Sequence, residues 1–309
     1  MKKIPKCSLA FPAAIVALGL HGAIAQAAMQ SQVEPAGLVI EDVGAGERIN
    51  FAGKLRMLSQ RISASACYYV NGVGGDGSRS ALTTSTAEFE KIVKALQYGD
   101  ESIGIIGPEE RRKTLVQIEK LQAVWGPIKT ASEAILEGDD HQANILHIAE
   151  NNMPLLDEAK LLVSEIVGQY SNPAEMLQSD AMLIDISGRQ RMLTQKMSKE
   201  SCGISTKINA MGSADALTGT MNMFETSLIA LKDGFPNAGI NPPPTDEIQA
   251  GLDVVYEDWT TAKAKLETVV AGGQLSVDQM NAIFDGLNVT LKDMNDVVML
   301  YTAAAKSAI

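Results

Sequence analysis

The chain has 309 residues, of which 46% are hydrophobic and 20% are charged, and its formal net charge is −11. An acidic balance of this size repels nucleic acid and anionic lipid surfaces, so neither is expected as a partner. It does not exclude a small anion held by a few local cations. The length is sufficient for one large domain or for two small ones.

Residues 1–27 have the three parts of a secretory signal peptide. Lysines stand at the start, an apolar run extends from Ser8 to Leu20, and Ala25-Gln26-Ala27 is an Ala-x-Ala cleavage site. The alternative is an uncleaved anchor, but the run is shorter than the roughly 20 residues that a spanning helix needs. Nothing later in the sequence resembles a membrane span. We therefore expect a periplasmic mature protein that does not insert into the membrane.

Apolar residues recur at three- and four-residue steps along four successive segments of the first half, as in amphipathic helices. The predicted helices cover about 47–69, 80–97, 108–138 and 140–170. The glycine-rich stretch at 71–77 is predicted to be a loop. Pro108-Glu109-Glu110 is the predicted start of the third helix, because proline and acidic residues favour a first helical turn.

The second half repeats this order of helices. Ser171 or Asn172 is predicted to cap the next helix, with Pro173 in its first turn. Further helices are predicted at about 182–204, 216–232, 245–271 and 276–301, and strand-like alternation is found nowhere at length. The predicted fold is all-α, with two tandem up-down-up-down four-helix bundles related by internal duplication. The predicted modules are residues 28–171 and 172–309.

The duplication is clearest in one stretch that occurs twice. The pattern Gly-x-x-Arg-Met-Leu-(Ser/Thr)-Gln begins at Gly53 and again at Gly188, 135 positions later. The same offset relates Arg56 to Arg191. Other pairs at this offset are Asn50 with Asp185, Gln60 with Gln195, and Cys67 with Cys202; it slips by one at Trp125 and Trp259.

Cys67 and Cys202 would be the only cysteines after removal of the leader. An exported protein with two cysteines at equivalent positions is compatible with one disulfide between the modules. That bond requires a pseudo-twofold axis passing near both residues. Two buried free thiols are the alternative, and the sequence does not choose between them.

The spacing of Gly53, Arg56 and Gln60 puts them on one face of a helix. Glycine inside a helix costs about 1 kcal/mol relative to alanine, so its double occurrence indicates close approach by a backbone or a ligand. An arginine one turn later adds a forked, charged donor. If the two copies pack about a pseudo-twofold axis, Arg56 and Arg191 meet across it. A small planar oxyanion would then satisfy both guanidinium groups.

Two other interpretations of the repeated stretch remain open. The arginines could pair internally with acids such as Glu47, or the helix faces could be contact surfaces for another protein. His141 and His147 lack the spacing of a metal site. No phosphate loop, nucleophile elbow or Ser-His-Asp arrangement is found in the sequence. We therefore predict a protein that is not an enzyme and has neither a metal nor a cofactor.

The repeated stretch resembles the opening helix of PilJ-type sensor domains, which stand at the N-terminus of type IV pilus methyl-accepting chemotaxis transducers. It is also similar to the P-box of the NarX-type nitrate/nitrite sensor kinases. The residues that carry the resemblance are Ile49-Asn50-x-Ala52-Gly53-x-x-Arg56-Met57-Leu58-Ser59-Gln60-Arg61 and Ile186-Ser187-Gly188-Arg189-Gln190-Arg191-Met192-Leu193-Thr194-Gln195-Lys196-Met197.

The resemblance implies a sensory, ligand-binding protein. In the NarX-type family nitrate is held between two P-box helices by the arginine, which implies Arg56 and Arg191 here, with Gly53 and Gly188 lining the approach. The ligand-binding set predicted for nitrate or nitrite is completed by Asn50, Gln60 and Gln195. Asp185, at the position equivalent to Asn50, departs from the family pattern and is expected to weaken binding at that end.

The sequence shows no kinase or methyl-accepting region, so signalling is expected to require a partner. A membrane chemoreceptor, a sensor kinase or a pilus component would fit. The alternative function is a protein-interaction module that docks on such a partner and binds no small ligand.

Overall fold

The computed structural model describes residues 44–170, 177–272 and 275–307, and the predicted signal peptide lies outside these ranges. They form eight α-helices: α1 (Ala45–Val70), α2 (Gly75–Tyr98), α3 (Arg112–Glu137), α4 (His141–Tyr170), α5 (Gln178–Thr206), α6 (Ala214–Asp233), α7 (Asp246–Val270) and α8 (Val277–Ser307). Within the described ranges, β structure is limited to two isolated bridges. The predicted all-α fold of two four-helix halves is confirmed. The predicted boundary between modules, between residues 171 and 172, lies outside the described residues and stays a prediction.

α1 and α5 are the central helices of the fold. They pack against each other more extensively than any other pair, and each also packs on the other helices of its own half. Both therefore bury residues on nearly every side. Gly53 lies beside Arg191, and Cys67 is bonded to Cys202, so the two helices run in the same direction. This parallel packing brings the two copies of the repeated stretch together.

The connections α2–α3 and α6–α7 show the duplication in backbone detail. Each begins at a glycine in the left-handed region, Gly99 with φ 82° and Gly234 with φ 78°. Each then closes an antiparallel bridge, Asp100 to Ile105 and Phe235 to Ile240. Each of these residues in the first connection is 135 positions before its equivalent in the second. A Cβ at Gly99 would lie 2.7 Å from the carbonyl oxygen of Gly107, so only glycine fits this turn.

Two helix starts differ from the sequence prediction. α2 begins at Gly75 rather than near residue 80, because Gly74 takes a left-handed φ of 77° and donates its N–H to Asn281 Oδ1 at 2.7 Å. α3 begins at Arg112 rather than at Pro108, because the buried Glu109 carboxylate is used elsewhere. It accepts the Arg111 N–H at 2.8 Å and the Tyr170 hydroxyl at 2.9 Å.

Other helix ends follow the sequence signals. Thr245 caps α7 by accepting the Ile248 N–H at 3.3 Å. α3 ends at Glu137 and is followed by Gly138, whose φ of 91° suits glycine. α5 begins at Gln178, and the predicted cap at Ser171 or Asn172 lies outside the described residues. Across residues 44–170, 177–272 and 275–307, no helix combines the length and apolarity needed to span a membrane.

Candidate functional site

Arg56 on α1 and Arg191 on α5 meet where these helices pack together. A Cβ built on Gly53 would lie 3.4 Å from Arg56 Nη2 and 3.7 Å from Arg191 Nη2. A Cβ built on Gly188 would lie 3.3 Å from Arg191 Nη2 and 3.7 Å from Arg56 Nη2. Both guanidinium groups therefore lie close to both glycines, where a side chain would crowd them.

The backbone contacts of the two arginines are reciprocal. Arg56 Nη2 donates to the carbonyl oxygen of Asp185 at 3.2 Å, and Arg191 Nη2 donates to that of Asn50 at 3.2 Å. Each arginine thus donates to a backbone carbonyl of the opposite helix. That carbonyl lies three residues before the glycine of the repeated pattern in the opposite helix. This is the pattern that an approximate twofold axis between α1 and α5 requires.

The side-chain partners of the arginines are not equivalent. Arg56 Nη2 lies 2.8 Å from Asp185 Oδ1, and Asp185 is also paired with the exposed Arg189 at 3.0 Å. Arg191 instead donates from Nη1 to the amide oxygen of Asn295 at 3.0 Å. Within the described part of the chain, Arg191 forms no ion pair with a carboxylate, and the Nε atoms of both Arg56 and Arg191 are buried without a hydrogen-bond partner.

The pair is electrostatically unfavourable as it stands. Arg56 is 4% exposed and Arg191 is 1% exposed. Burial, and then the positive charge of Arg56, lower the pKa of Arg191 to about 9. Burial also lowers the pKa of Arg56, and Asp185 partly opposes that shift. Both cations remain protonated at neutral pH, so the site carries positive charge that an anion would neutralise.

The other predicted ligand residues are placed differently. Asn50 is half-buried, and its Oδ1 has no hydrogen-bond partner. Gln60 and Gln195 are buried, but neither amide forms a hydrogen bond with an arginine among the described residues. Gln60 donates to Ser59 Oγ at 3.2 Å, and Gln195 Nε2 has no partner among the described residues. Asn50 thus lies at the arginine pair, while the two glutamines lie one turn further along.

The two cysteines are joined. Cys67 and Cys202 form a disulfide between α1 and α5, with their Cα atoms 6.3 Å apart and both side chains fully buried. The bond lies on the C-terminal side of the arginines on both helices. It ties together the two helices that carry the pair.

Two buried cations were not foreseen from the sequence. Lys199 donates to Asn152 Oδ1 at 2.9 Å, and burial lowers its pKa to about 8. Lys199 follows Gln195 by four residues and so lies on the same face of α5. The helical spacing of the repeated stretch could therefore have predicted its burial. Arg48 donates to the carbonyl oxygens of Ile106 and Gly107 at 2.9 and 2.7 Å, and no repeat marks its position because residue 183 is leucine.

The described residues hold no group of three or more histidine, cysteine, aspartate or glutamate side chains that could bind a metal ion. The ring of His141 instead lies 3.1 Å from the carbonyl oxygen of Ile135, at the turn between α3 and α4.

Residues 41–150 and 174–283 each match the family described as Type IV pili methyl-accepting chemotaxis transducer N-term, or PilJ. These matches cover more than half of the chain, which therefore belongs to the PilJ family with two tandem copies of its domain. No curated protein matches the chain.

Proposed function

We propose that this protein is a periplasmic sensory protein that binds nitrate or nitrite between Arg56 and Arg191. The observation that carries the proposal is the convergence of two buried guanidinium groups on Gly53 and Gly188 with only one carboxylate beside them. Removing charges from water is favourable only where partners compensate. A bound anion supplies the partner that Arg191 lacks.

The charge and shape of the site favour a small monovalent oxyanion. Two arginines and Asp185 leave one positive charge at the pair, which one monoanion neutralises. A planar oxyanion presents acceptors to both guanidinium forks at once, and the two glycines provide the space for it. A divalent anion such as sulfate would leave a net negative charge in this buried site, which is unfavourable.

Export to the periplasm is supported by two features. The first is the predicted leader at residues 1–27. The second is the Cys67–Cys202 disulfide, because such bonds persist in oxidising compartments such as the bacterial periplasm. The sensory role of the PilJ family then suggests a membrane chemoreceptor, sensor kinase or pilus component as the partner that receives the signal.

Isothermal titration with nitrate, nitrite, chloride and sulfate tests the proposed ligand. We expect saturable binding of nitrate or nitrite with one site per chain, weaker binding of chloride and none of sulfate. Equal heats with all four anions, or no heat with any of them, would remove the basis of the proposal.

Replacing the two glycines with alanine is expected to separate stability from binding. Each new methyl group would lie 3.3 or 3.4 Å from one Nη2 and 3.7 Å from the other, in the space assigned to the anion. The arginine ends can yield by a few tenths of an ångström, and alanine favours a helix by about 1 kcal/mol over glycine. The Gly53→Ala/Gly188→Ala variant should therefore unfold at an unchanged or higher temperature while its nitrate affinity falls at least about tenfold.

Gly168→Ala is the matched control, since this exposed glycine lies inside α4 and a Cβ there meets no atom within 4 Å. It should raise thermal stability without changing nitrate affinity. An unchanged affinity in the double variant at Gly53 and Gly188 would show that the anion does not occupy this space.

Anion affinity is also expected to fall at high pH. The anion binds more tightly when Arg191 is protonated, so the pKa of Arg191 is higher in the complex than in the anion-free protein, where it is about 9. Affinity should therefore be constant between pH 6 and 8 and fall by about tenfold for each pH unit well above 9. Titrations at pH 7 and pH 10 measure this difference, and equal affinities would contradict it.

The second candidate function is docking on a membrane receptor without a small ligand. Exposed apolar side chains on α8 favour it, with Met299 58% and Leu300 37% exposed. Binding of the periplasmic domain of a chemoreceptor, measured with and without nitrate, discriminates the two functions. Affinity that is independent of nitrate and lost in Met299→Asp/Leu300→Asp would favour docking alone.

A further inference from the structure

A pocket of about 690 Å³ lies between α4, α5 and α6 and includes Arg56 in its lining. Four cationic side chains and two acidic ones line it: Arg56, Lys160, Arg189 and Lys196, with Asp185 and Asp215. Much of the remaining wall is apolar and is formed by Leu156, Val163, Val167, Met192, Leu193 and Met223. Lys160 and Lys196 each pair with an acid outside the lining, Asp157 and Glu200, whereas Arg56 and Arg189 share the single carboxylate of Asp185. The positive charge left beside the apolar wall is therefore that of the group formed by Arg56, Arg189 and Asp185.

The pocket has a counterpart at the equivalent place in the duplicated structure, so it is a feature of the repeat and not an accidental gap. A second pocket, of about 410 Å³, includes Arg191 in its lining and is formed mainly by α1 and α8. Five of its residues stand 135 positions from residues of the larger pocket: Asn50 with Asp185, Lys54 with Arg189, Asn295 with Lys160, Met299 with Ser164, and Thr302 with Val167. The equivalent arginines are divided between the two pockets, with Arg56 in the larger one and Arg191 in the smaller one.

The two pockets differ in the chemistry of their walls. In the smaller one, Asn295 takes the place of Lys160 and also binds Arg191. Thr302 takes the place of Val167, so that wall is more polar at this point. The charged residues of the two linings sum to the same net charge, so the larger pocket is distinguished by its more extensive apolar wall.

We propose that the larger pocket binds an organic monocarboxylate with an apolar body about the size of an aromatic acid. Sites for small organic ligands are typically about 300–1,000 Å³, mostly apolar, with a few convergent polar groups. An anion as small as nitrate would leave most of this pocket unfilled. The carboxylate is placed at the cationic side, by Arg189, which shares Asp185 with Arg56, and the body packs on the wall that contains Met192 and Met223. This site shares Arg56 and Asp185 with the proposed anion site, but its apolar wall is separate from the space between the two arginines.

Gly219 allows the pocket to be filled without touching the arginine pair. It lies within α6 and lines the pocket, and a Cβ built on it meets no atom within 4 Å. Leucine at this position would occupy pocket volume and would also favour the helix over glycine. Thr218→Leu is the matched control, because Thr218 is the preceding, exposed residue of the same helix and does not line the pocket.

The experiment is a titration of the full mature chain with benzoate and, as a neutral probe of the same shape, benzamide. We expect benzoate to bind, benzamide to bind at least about tenfold more weakly, and Gly219→Leu to lower benzoate affinity at least about tenfold. Thr218→Leu should retain the affinity of the unsubstituted protein. Thermal unfolding of both variants checks that each is folded.

Nitrate titrations on the same samples keep this site distinct from the anion site. Unchanged nitrate affinity in Gly219→Leu, together with lost benzoate binding, supports a separate pocket. If benzoate does not bind, binds Gly219→Leu as well as the unsubstituted protein, or binds no better than benzamide, the proposal is overturned whatever nitrate does. Loss of nitrate binding alone would count against the arginine site and not against this pocket.

Discussion

Arg191→Met is expected to abolish nitrate binding and to raise the free energy of unfolding of the anion-free protein by about 1–4 kcal/mol. Arg191 is 1% exposed, lies beside Arg56, and has no carboxylate partner among the described residues. Methionine has a similar length and removes the buried charge. Asn295, which accepts from Arg191, is half-buried and can turn toward solvent.

Arg56→Met is the matched comparison and is expected to change stability in the opposite direction. Arg56 neutralises Asp185, whose Oδ1 is buried and lies 2.8 Å from Arg56 Nη2. Removing the arginine leaves that oxygen without its nearest cation, which should lower the free energy of unfolding by about 1–3 kcal/mol. Nitrate binding should be lost in this variant too.

Urea unfolding with and without nitrate measures both effects. The unsubstituted protein should gain stability as nitrate is added, and neither variant should respond. If Arg191→Met were destabilised and still bound nitrate, Arg191 would be a structural residue and the anion would bind elsewhere.

The sequence predicted the parts of the fold and site that repetition and periodicity encode. Eight helices follow from apolar spacing and from glycine and proline punctuation. The meeting of Arg56 with Arg191 followed from assuming that duplicated helices pack about an approximate twofold axis, and the reciprocal contacts with Asp185 and Asn50 have that form. The repeat in the sequence identifies Arg56 and Arg191 as equivalent positions, and the approximate twofold symmetry then predicts that they lie close together.

The sequence did not reveal which side chains complete the site, because these partners break the repeat. Asn295 comes from α8, and its equivalent in the first half is Lys160, so no pattern pointed to it. Glu109 looked like a first-turn residue, yet it is buried and binds the Tyr170 hydroxyl. A long-range partner outweighed the local propensity of Glu109, and local sequence does not contain that information.

The difference between the two copies gives the site its charge. With asparagine at both equivalent positions, the pair would carry two positive charges, and with aspartate at both it would carry none. One Asn50 and one Asp185 leave a single positive charge among Arg56, Arg191 and these two residues, which suits the monoanion proposed as the ligand. The departure at Asp185 that was expected to weaken binding at one end therefore fits a ligand of one negative charge.

Removing the disulfide is expected to cause the largest loss of stability of any change considered for this protein. Cys67 and Cys202 close a loop of 135 residues, so the bond restricts the unfolded chain strongly. The chain-entropy relation gives about 5 kcal/mol for a loop of this length, and measured losses for native disulfides are about 2–5 kcal/mol. Cys67→Ala/Cys202→Ala should therefore lower the free energy of unfolding by about 3–5 kcal/mol.

Nitrate affinity in the folded disulfide variant should change by less than about threefold, which is under 1 kcal/mol. The reason is that extensive packing between α1 and α5, rather than the bond, positions the arginines. Mass spectrometry without reductant establishes the bond in the unsubstituted protein, and urea unfolding gives the loss. A pair of thiols that alkylate freely in the folded protein would contradict the prediction, as would equal stability with and without the cysteines. A strong loss of nitrate binding in the folded variant would instead show that the bond sets the distance between the two guanidinium groups.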